Sequence, residues 1–339
     1  MKRRFSPSLR MYPALLLLAL SGFAAARFSF AQDVHVYVAP SNKPTWTGDQ
    51  FPTIQMALDH APDPGLGGRL YIHIAPATYH ERVIVSPNRP RTTFLGTGSD
   101  PSQVVIVASQ NAKSAGGTFF SETVEIIAPD FQADNVTFEN DAGRTGQAVA
   151  IAVNADRAVF KRCRFIGDQD TLFANYGRQY YVDSYISGGV DFIFGNATAF
   201  FERDEIHSIR AGYLTAQSRT TPSQTTGFVF DHARITGGDT GGKPIYLGRP
   251  WRAFSRVVFL NSSMPENLSP QGWSPWYKNQ IPQEVFYAEF RSTGPGARPE
   301  SRPSWSRQLS AKEAARFGAI PFLAGSDHWD APAEAASLP

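Results

Sequence analysis

The chain has 339 residues, of which 13% are aromatic and 18% charged, and it contains 28 glycines and 25 prolines. This composition is typical of a packed, turn-rich protein and excludes an intrinsically disordered chain. The formal net charge is only +2 and Lys and Arg form no dense run, which argues against a nucleic-acid-binding protein. The single cysteine excludes an intramolecular disulfide, and the seven histidines show no metal-ligand spacing, so no metal site is predicted.

The N-terminus has the pattern of a secretory signal peptide. Four basic residues lie before an apolar run, whose first part is residues 14–20. Small residues follow that run. A membrane anchor is the alternative, but the uncharged stretch at residues 11–26 is slightly short for a span, and Arg27 ends it. We therefore predict that residues 1–31 are removed, that the protein is secreted or periplasmic, and that no membrane attachment remains.

Two short helices are predicted on either side of a long β-rich region. The first covers residues 53–61, where apolar residues recur at i, i+3, i+4 and i+7. The second lies near residues 310–317, where Ser310 and Glu313 fit a capping box. We expect one catalytic domain over residues 32–330 and a frayed C-terminal tail at residues 331–339.

Between these helices, six β-rich segments share a polar turn residue with apolar residues on both sides. The turn residues are aligned as Asn135, Cys163, Ser184, Asp204, His232 and Asn261. Their separations of 20–29 residues are typical of a β-solenoid, in which each coil adds strands to parallel sheets. A β-sandwich is the alternative, but it needs hairpin signals about every 8–12 residues, and these are sparse. An all-β solenoid with short flanking helices is therefore predicted.

Three polar clusters lie about one coil apart in this pattern. Asp170 follows Gln147 by 23 residues, Asp191 follows Asp170 by 21, and Gln169 directly precedes Asp170. Equivalent positions on successive coils are about 4.8 Å apart, so these side chains are predicted to form a ladder on one outer face. Two carboxylates this close cannot both ionise freely, and one acid beside one carboxylate suits acyl transfer or glycoside hydrolysis.

Further polar and aromatic residues fit such a site. The amide of Gln147 can donate to a developing oxyanion, Arg249 can hold the ionised carboxylate, and Trp251 offers a flat face to a sugar ring. Each residue type also has a structural interpretation, since Asp is common at solenoid turns and a tryptophan can belong to the core. The spacing alone leaves both interpretations open.

Several segments in the same order resemble the signature motifs of the pectin methylesterase (pectinesterase) family. The longest match is G-R-Q-Y-Y-V-D-S-Y-I-S-G-G-V-D-F-I-F-G-N-A at residues 177–197. Other matches are T-F-F-S-E-T from Thr118, T-A-Q-S-R-T from Thr215 and L-G-R-P-W-R from Leu247. The resemblance covers about residues 35–330. Ala77 and Ser218 replace frequent glycines of the family, which concerns local loop shape.

The resemblance implies a single-stranded right-handed parallel β-helix. It also implies hydrolysis of methyl esters at C6 of galacturonate units in pectin, with release of methanol. Asp191 matches the family's nucleophile and Asp170 its general acid and base. Gln147 matches the oxyanion donor, with Gln169 assisting, and Arg249 matches the residue that hydrogen-bonds the nucleophile.

Thr118 and Trp251, together with Gln147 and Arg249, match substrate contacts of the family. No metal or organic cofactor is implied. The expected partner is methyl-esterified homogalacturonan, and the protein is expected to act as a monomer.

This function has four alternatives. A polygalacturonase would carry G-H-G and R-I-K segments, and a calcium-dependent lyase would carry clustered acidic ligands beside a basic residue; neither pattern occurs in the sequence. A non-catalytic pectin-binding β-helix would be expected to have lost one of Gln147, Asp170, Asp191 and Arg249, and all four are present. A related esterase for another acyl substrate would use the same groups, so that alternative stays open.

Overall fold

The computed structural model describes residues 32–40, 49–277 and 283–339. Within these residues the strands form three sheets, of twelve, seven and seven strands, and neighbouring strands of each sheet come from successive coils. Each complete coil adds one strand to each sheet, and the paired strands run parallel. The chain is therefore a right-handed parallel β-helix, which confirms the predicted fold class. The predicted signal peptide, residues 1–31, lies outside the described residues.

Each sheet takes the same part of every coil. In spatial order, sheet 1 contains Gln50–Phe51, Val34–Val38, Leu70–Ile74, Thr92–Gly96, Gln132–Asp134, Ala158–Lys161, Arg178–Val182, Thr198–Glu202, Gly227–Asp231, Arg256–Leu260, Phe286–Phe290 and Ser306–Gln308. Sheet 2 contains Arg234–Gly237, Glu205–Ser208, Tyr185–Gly188, Arg164–Ile166, Thr137–Asn140, Val104–Ala108 and Ala77–His80. Sheet 3 contains Ile245–Gly248, Gly212–Gln217, Ile193–Gly195, Leu172–Tyr176, Ile151–Asn154, Val124–Ile126 and Val83–Val85.

The interior of the coil is held in register by stacked aromatic rings. Phe160, Tyr181, Phe201, Phe230 and Phe259 occupy equivalent positions on adjacent strands of sheet 1 and are fully buried. Their ring centroids are 4.4–4.9 Å apart, which matches the spacing between neighbouring strands. A slip of one residue would turn every ring out of the core, so this stack specifies how successive coils pair.

The turn residue differs by one position from the predicted alignment after three of the six aligned sheet 1 strands. The equivalent residues have a left-handed backbone, with φ between 50° and 62°; they are Asn135, Arg162, Asp183, Arg203, His232 and Asn261. Cys163, Ser184 and Asp204 follow that position, and their side chains are buried. The alignment was wrong on these three coils because both the left-handed residue and the inward residue after it can be polar.

The helices lie outside the coil. The α-helices cover Ile54–His60, Ala112–Ala115, Ala311–Ala314, Ala319–Leu323 and Ala331–Ala336, and short 3-10 turns cover Pro101–Gln103, Thr118–Phe120, Pro299–Ser301 and Ala315–Phe317. Thr53 caps the first helix, and the capping box of Ser310 and Glu313 begins the third, so both predicted helices are confirmed. Among the described residues, no helix is both long and apolar enough to cross a bilayer.

The C-terminus is ordered, so the prediction of a frayed tail was wrong. Helix Ala331–Ala336 packs on the outer side of sheet 1, where Ala331, Ala335 and Leu338 are buried. Glu334 accepts hydrogen bonds from Gln132 Nε2 at 2.9 Å and Trp329 Nε1 at 2.5 Å. The tail is rich in alanine, so its apolar pattern is weak, and the residues that it packs against lie far away in the sequence. For these reasons the sequence did not predict an ordered tail. The folded domain therefore continues past residue 330.

We expect Leu338→Ala to lower the free energy of unfolding by about 2 kcal/mol, because it leaves a cavity between the tail and sheet 1. Leu338 is 5% exposed. Leu66 is 97% exposed, so Leu66→Ala is the matched control and is expected to leave stability unchanged. Urea unfolding of the three proteins measures the difference. Equal midpoints for all three would show that the tail does not contribute to stability.

Candidate active site

Asp170 and Asp191 occupy the same turn on adjacent coils, between a sheet 2 strand and a sheet 3 strand. A parallel bridge pairs Gln169 with Val190, so the residues that follow, Asp170 and Asp191, are in register. Both have a left-handed backbone, with φ of 67° and 50°. Asp can adopt this conformation more readily than most residues, which explains how both side chains leave the turn in the same direction.

Gln147 is equivalent to Gln169, because a parallel bridge pairs these two residues. The predicted equivalence of Gln147 with Asp170 was therefore wrong by one residue. The coil from Gln147 to Gln169 is one residue longer than the coil from Gln169 to Val190. Because turn lengths vary between coils, equal spacing along the sequence does not identify equivalent positions. The amides of Gln147 and Gln169 are thus neighbours on adjacent coils, and so are the carboxylates of Asp170 and Asp191.

All seven residues predicted for catalysis or substrate contact line one cavity of about 370 Å³; they are Thr118, Gln147, Gln169, Asp170, Asp191, Arg249 and Trp251. The cavity is also lined by four residues that the sequence interpretation did not include, namely Phe119, Phe194, Ala216 and Trp276. Among the described residues, no group of three or more His, Cys, Asp or Glu side chains is placed to hold a metal ion.

Arg249 forms a bidentate ion pair with Asp191. Its Nε lies 3.0 Å from Oδ1 and its Nη2 lies 2.6 Å from Oδ2 of the carboxylate. The guanidinium lies between two aromatic rings, 4.1 Å from the ring centroid of Tyr213 and 4.2 Å from that of Trp276. Planar bidentate bonding and cation–π contacts both restrict the guanidinium, so the orientation of Asp191 is fixed as well.

The two carboxylates have different electrostatic surroundings. Burial raises the pKa of Asp170 to about 8, and the charge of Asp191 acts in the same direction, while Arg249 opposes it. Burial also raises the pKa of Asp191, but the hydrogen bonds and positive charge of Arg249 counteract this effect. Because Arg249 binds Asp191 directly, the negative charge of the pair resides on Asp191 and the proton on Asp170.

A row of aromatic rings forms one wall of the site. Phe119 stacks on Phe173 at 4.9 Å, Phe173 on Phe194 at 4.6 Å, and Trp251 lies 6.2 Å from Phe194. Phe173 follows Asp170 by three residues in D-T-L-F, and Phe194 follows Asp191 by three residues in D-F-I-F. This repeated D-x-x-F spacing was a signal that could have identified them. Trp276 lies where the coil repeat is weak, and its sequence surroundings carried no such signal.

We expect Trp276→Ala to lower kcat/KM about tenfold, because it removes one of the two rings that restrict Arg249. The neighbouring Tyr277 is 61% exposed, so Tyr277→Ala is a suitable control and is expected to retain wild-type activity. Initial rates of the reaction that the sequence predicts, over a range of substrate concentrations, measure the effect. Equal kcat/KM values for the two variants would show that Trp276 does not support Arg249.

A groove of larger volume continues from the cavity along sheet 3. It has a volume of about 550 Å³ and shares Phe119 and Trp251 with the cavity. Val149, Ala152 and Phe173 form its apolar floor. The site therefore has the shape of a pocket opening into a trough, which suits one unit of a polymer and its neighbours.

A sequence profile of the Pectinesterase family matches residues 43–326. The chain belongs to the pectinesterase family. Pectinesterase 31 of Arabidopsis thaliana is 40% identical over 282 residues, which are 80% of this chain and 87% of that protein. The enzyme is therefore a carboxylic ester hydrolase, and the family and activity implied by the sequence resemblance are confirmed.

Solved structures of the family have the same fold. Pectin methylesterase from carrot superimposes with a TM-score of 0.81 and 33% identity, covering 92% of this chain and 98% of that chain. A pectin methylesterase solved in complex with a hexasaccharide superimposes with a TM-score of 0.72 and 28% identity, covering 90% of this chain and 98% of that chain.

Proposed function

We propose that this enzyme hydrolyses C6 methyl esters of galacturonate units in pectin, with Asp191 as nucleophile and Asp170 as general acid and base. The observation that supports these roles is the asymmetry of the carboxylate pair. Arg249 binds Asp191 through two hydrogen bonds, whereas burial raises the pKa of Asp170 to about 8. A nucleophile must be ionised and an acid must carry a proton, and the two environments supply these states at neutral pH.

In the first step, a carboxylate oxygen of Asp191 attacks the ester carbonyl carbon. The carbonyl oxygen becomes an oxyanion, and the side-chain amides of Gln147 and Gln169 donate hydrogen bonds to it. The bond to the methoxy oxygen then breaks, and Asp170 transfers its proton to that oxygen. Methanol leaves, and an anhydride joins the galacturonate carbonyl to Asp191.

In the second step, water hydrolyses this anhydride. Asp170, now ionised, takes a proton from the water while the water oxygen attacks the galacturonate carbonyl carbon. The same amides stabilise the second oxyanion. The bond to Asp191 breaks, which releases the free galacturonate and restores the ionised nucleophile and the protonated acid. The sum is one ester and one water converted to one acid and one methanol.

The substrate in this proposal is methyl-esterified homogalacturonan. Trp251 is half-buried at the junction of the cavity and the groove, where its face can stack on a sugar ring, and Thr118 also lines the cavity. No cofactor is required by these steps. We further propose that residues 1–31 act as a secretory signal and that the mature enzyme works outside the cytoplasm as a monomer.

The function is tested by following methanol release from highly methylated pectin while the length of the polymer is measured in parallel. We expect stoichiometric methanol and free carboxylate with no change in chain length. Shortening of the polymer would contradict the proposal and indicate a glycoside hydrolase or lyase. Binding to pectin without methanol release would indicate a non-catalytic pectin-binding protein.

A further inference from the structure

The groove along sheet 3 has an acidic end. Glu125 lies on the outer face of strand Val124–Ile126, in register with Ala152, Phe173 and Phe194 on the three following coils. Neighbouring strands are about 4.8 Å apart, so Glu125 lies about 14 Å along the groove from Phe194 at the reacting site. At this distance, Glu125 lies beside a different sugar unit of the polymer from the unit whose ester is cleaved.

The Glu125 carboxylate is held in the groove by amides, and no described Lys, Arg or His side chain forms an ion pair with it. Asn154 Nδ2 donates to Glu125 Oε1 at 3.1 Å, and Asn175 Nδ2 donates to Asn154 Oδ1 at 2.8 Å. Both asparagines line the groove. Amide donors orient the carboxylate without neutralising it, so Glu125 presents a full negative charge to the polymer.

The other charges of the groove do not compensate Glu125. Glu122 is buried nearby and is paired with Arg82 at 2.5 Å, so that pair is close to neutral. Arg252 is the one Lys or Arg among the groove-lining residues described by the structure, and its guanidinium stacks on Trp251, at the opposite end. One end of the groove is thus negative.

One row of side chains between these ends is apolar, and it runs beside the row that contains Asn154 and Asn175. Val149 is fully buried, and Ala152 and Phe173 are 4% and 8% exposed; these side chains form the floor between Glu125 and the reacting site. A free carboxylate placed here would lose hydration and would face a like charge. A methyl ester is neutral and apolar, so it suffers neither penalty and can pack against the floor.

We infer that Glu125 makes this part of the groove a subsite that selects methyl-esterified galacturonate over free galacturonate at a position distant from the reacting unit. The inference rests on the proposed function and adds to it a rule for the substrate. The enzyme removes esters fastest within esterified stretches, and its own product weakens binding when a free carboxylate occupies the subsite.

The test uses hexagalacturonides that are fully methyl-esterified, or that carry one free carboxylate at each position in turn. We expect one position at which the free carboxylate lowers kcat/KM about five- to tenfold, the size of one partly exposed like-charge contact. Glu125→Gln keeps the hydrogen bond from Asn154 and is expected to remove the loss at that position alone. Glu125→Lys is expected to make the free carboxylate the better substrate there.

A matched control is Glu205→Gln, because Glu205 also lies on the outer face of a strand but belongs to sheet 2. It is expected to keep the wild-type pattern. Raising the salt from about 0.01 M to about 1 M shortens the screening length from about 30 Å to about 3 Å and should weaken the wild-type discrimination. The same positional pattern in wild type and Glu125→Gln would overturn the subsite. A wild-type enzyme that releases no methanol from any of these substrates would instead overturn the proposed function.

Discussion

Replacement of Asp191 by Asn is expected to lower kcat for methanol release by at least ~10⁴-fold, the loss typical of removing a nucleophile that acts as part of a catalytic unit. The amide of Asn cannot attack the ester carbon. Asn retains the shape of Asp and can accept one hydrogen bond from Arg249, which lies 2.6 and 3.0 Å from the two carboxylate oxygens. The substitution therefore removes the chemistry with little change in structure.

Asn is a sharper replacement than Ala at this position. Residue 191 has φ of 50°, a left-handed conformation that Asn tolerates and that costs Ala about 1–2 kcal/mol. Asp191→Ala also leaves the half-buried Arg249 with no side-chain oxygen at residue 191 to accept its hydrogen bonds, whereas Asn keeps one such oxygen. We expect Asp191→Ala to be equally inactive and less stable. Circular dichroism and urea unfolding separate the loss of activity from the loss of stability.

The matched control is Asp183→Asn. Asp183 is also a left-handed turn residue, with φ of 52°, and Arg203 binds both of its carboxylate oxygens, at 2.8 and 3.1 Å. It lies in the turn between sheets 1 and 2, away from the active-site cavity. We expect this variant to keep wild-type activity. A folded Asp191→Asn enzyme with activity near that of Asp183→Asn would refute the role of Asp191.

Replacement of Asp170 by Asn is expected to lower kcat/KM by about 10²–10⁴-fold, because the leaving methoxy group loses its proton donor. The amide of Asn can still donate a hydrogen bond but cannot transfer a proton. In the wild-type enzyme, kcat/KM should fall at pH above about 8, where Asp170 loses its proton. The residual activity of Asp170→Asn should not show this alkaline decline. A wild-type pH profile that is flat through pH 8 would contradict the assignment.

Asp170→Asn is also expected to stabilise the fold at pH 8. The pKa of this carboxyl is raised from its ordinary value of 3.8 to about 8, so between these values the folded protein keeps a proton that the unfolded chain releases. Stability therefore falls as the pH rises through this window, and Asn removes that dependence. We expect a gain on the order of 1 kcal/mol at pH 8 that disappears below about pH 4. Urea unfolding at both pH values measures it.

The coil repeat and the flanking helix caps could be predicted from the sequence because both depend on residues close together in the chain. Thr53, Ser310 and Glu313 make their capping bonds within one helical turn. The one-residue error at Cys163, Ser184 and Asp204 shows the limit of this information. The backbone conformation of a turn residue depends on how the next coil pairs with it, and a polar side chain alone does not report that pairing.

The C-terminal helix and Trp276 could not be predicted for the same kind of reason. Leu338 packs on strands more than a hundred residues earlier, and its carbonyl accepts a hydrogen bond from Lys161 Nζ at 2.8 Å. Trp276 lies at the site with its ring centroid 4.2 Å from the guanidinium carbon of Arg249. Neither residue lies in a repeated pattern, so only the folded chain reveals what each contacts.

The sequence by itself determined the parallel coil, the spacing of Asp170 and Asp191 by one turn of it, and the residue types of the site, because a regular coil converts distance along the chain into distance in space. The tertiary structure decided which carboxylate is protonated, because that depends on burial and on an ion pair between residues 58 positions apart. It also decided that Gln147 is equivalent to Gln169, and that Glu125, within the described part of the chain, is bound in the groove by the amide of Asn154 and forms no ion pair. Charge and solvation are properties of neighbours in space, and those neighbours exist only once the coils have stacked.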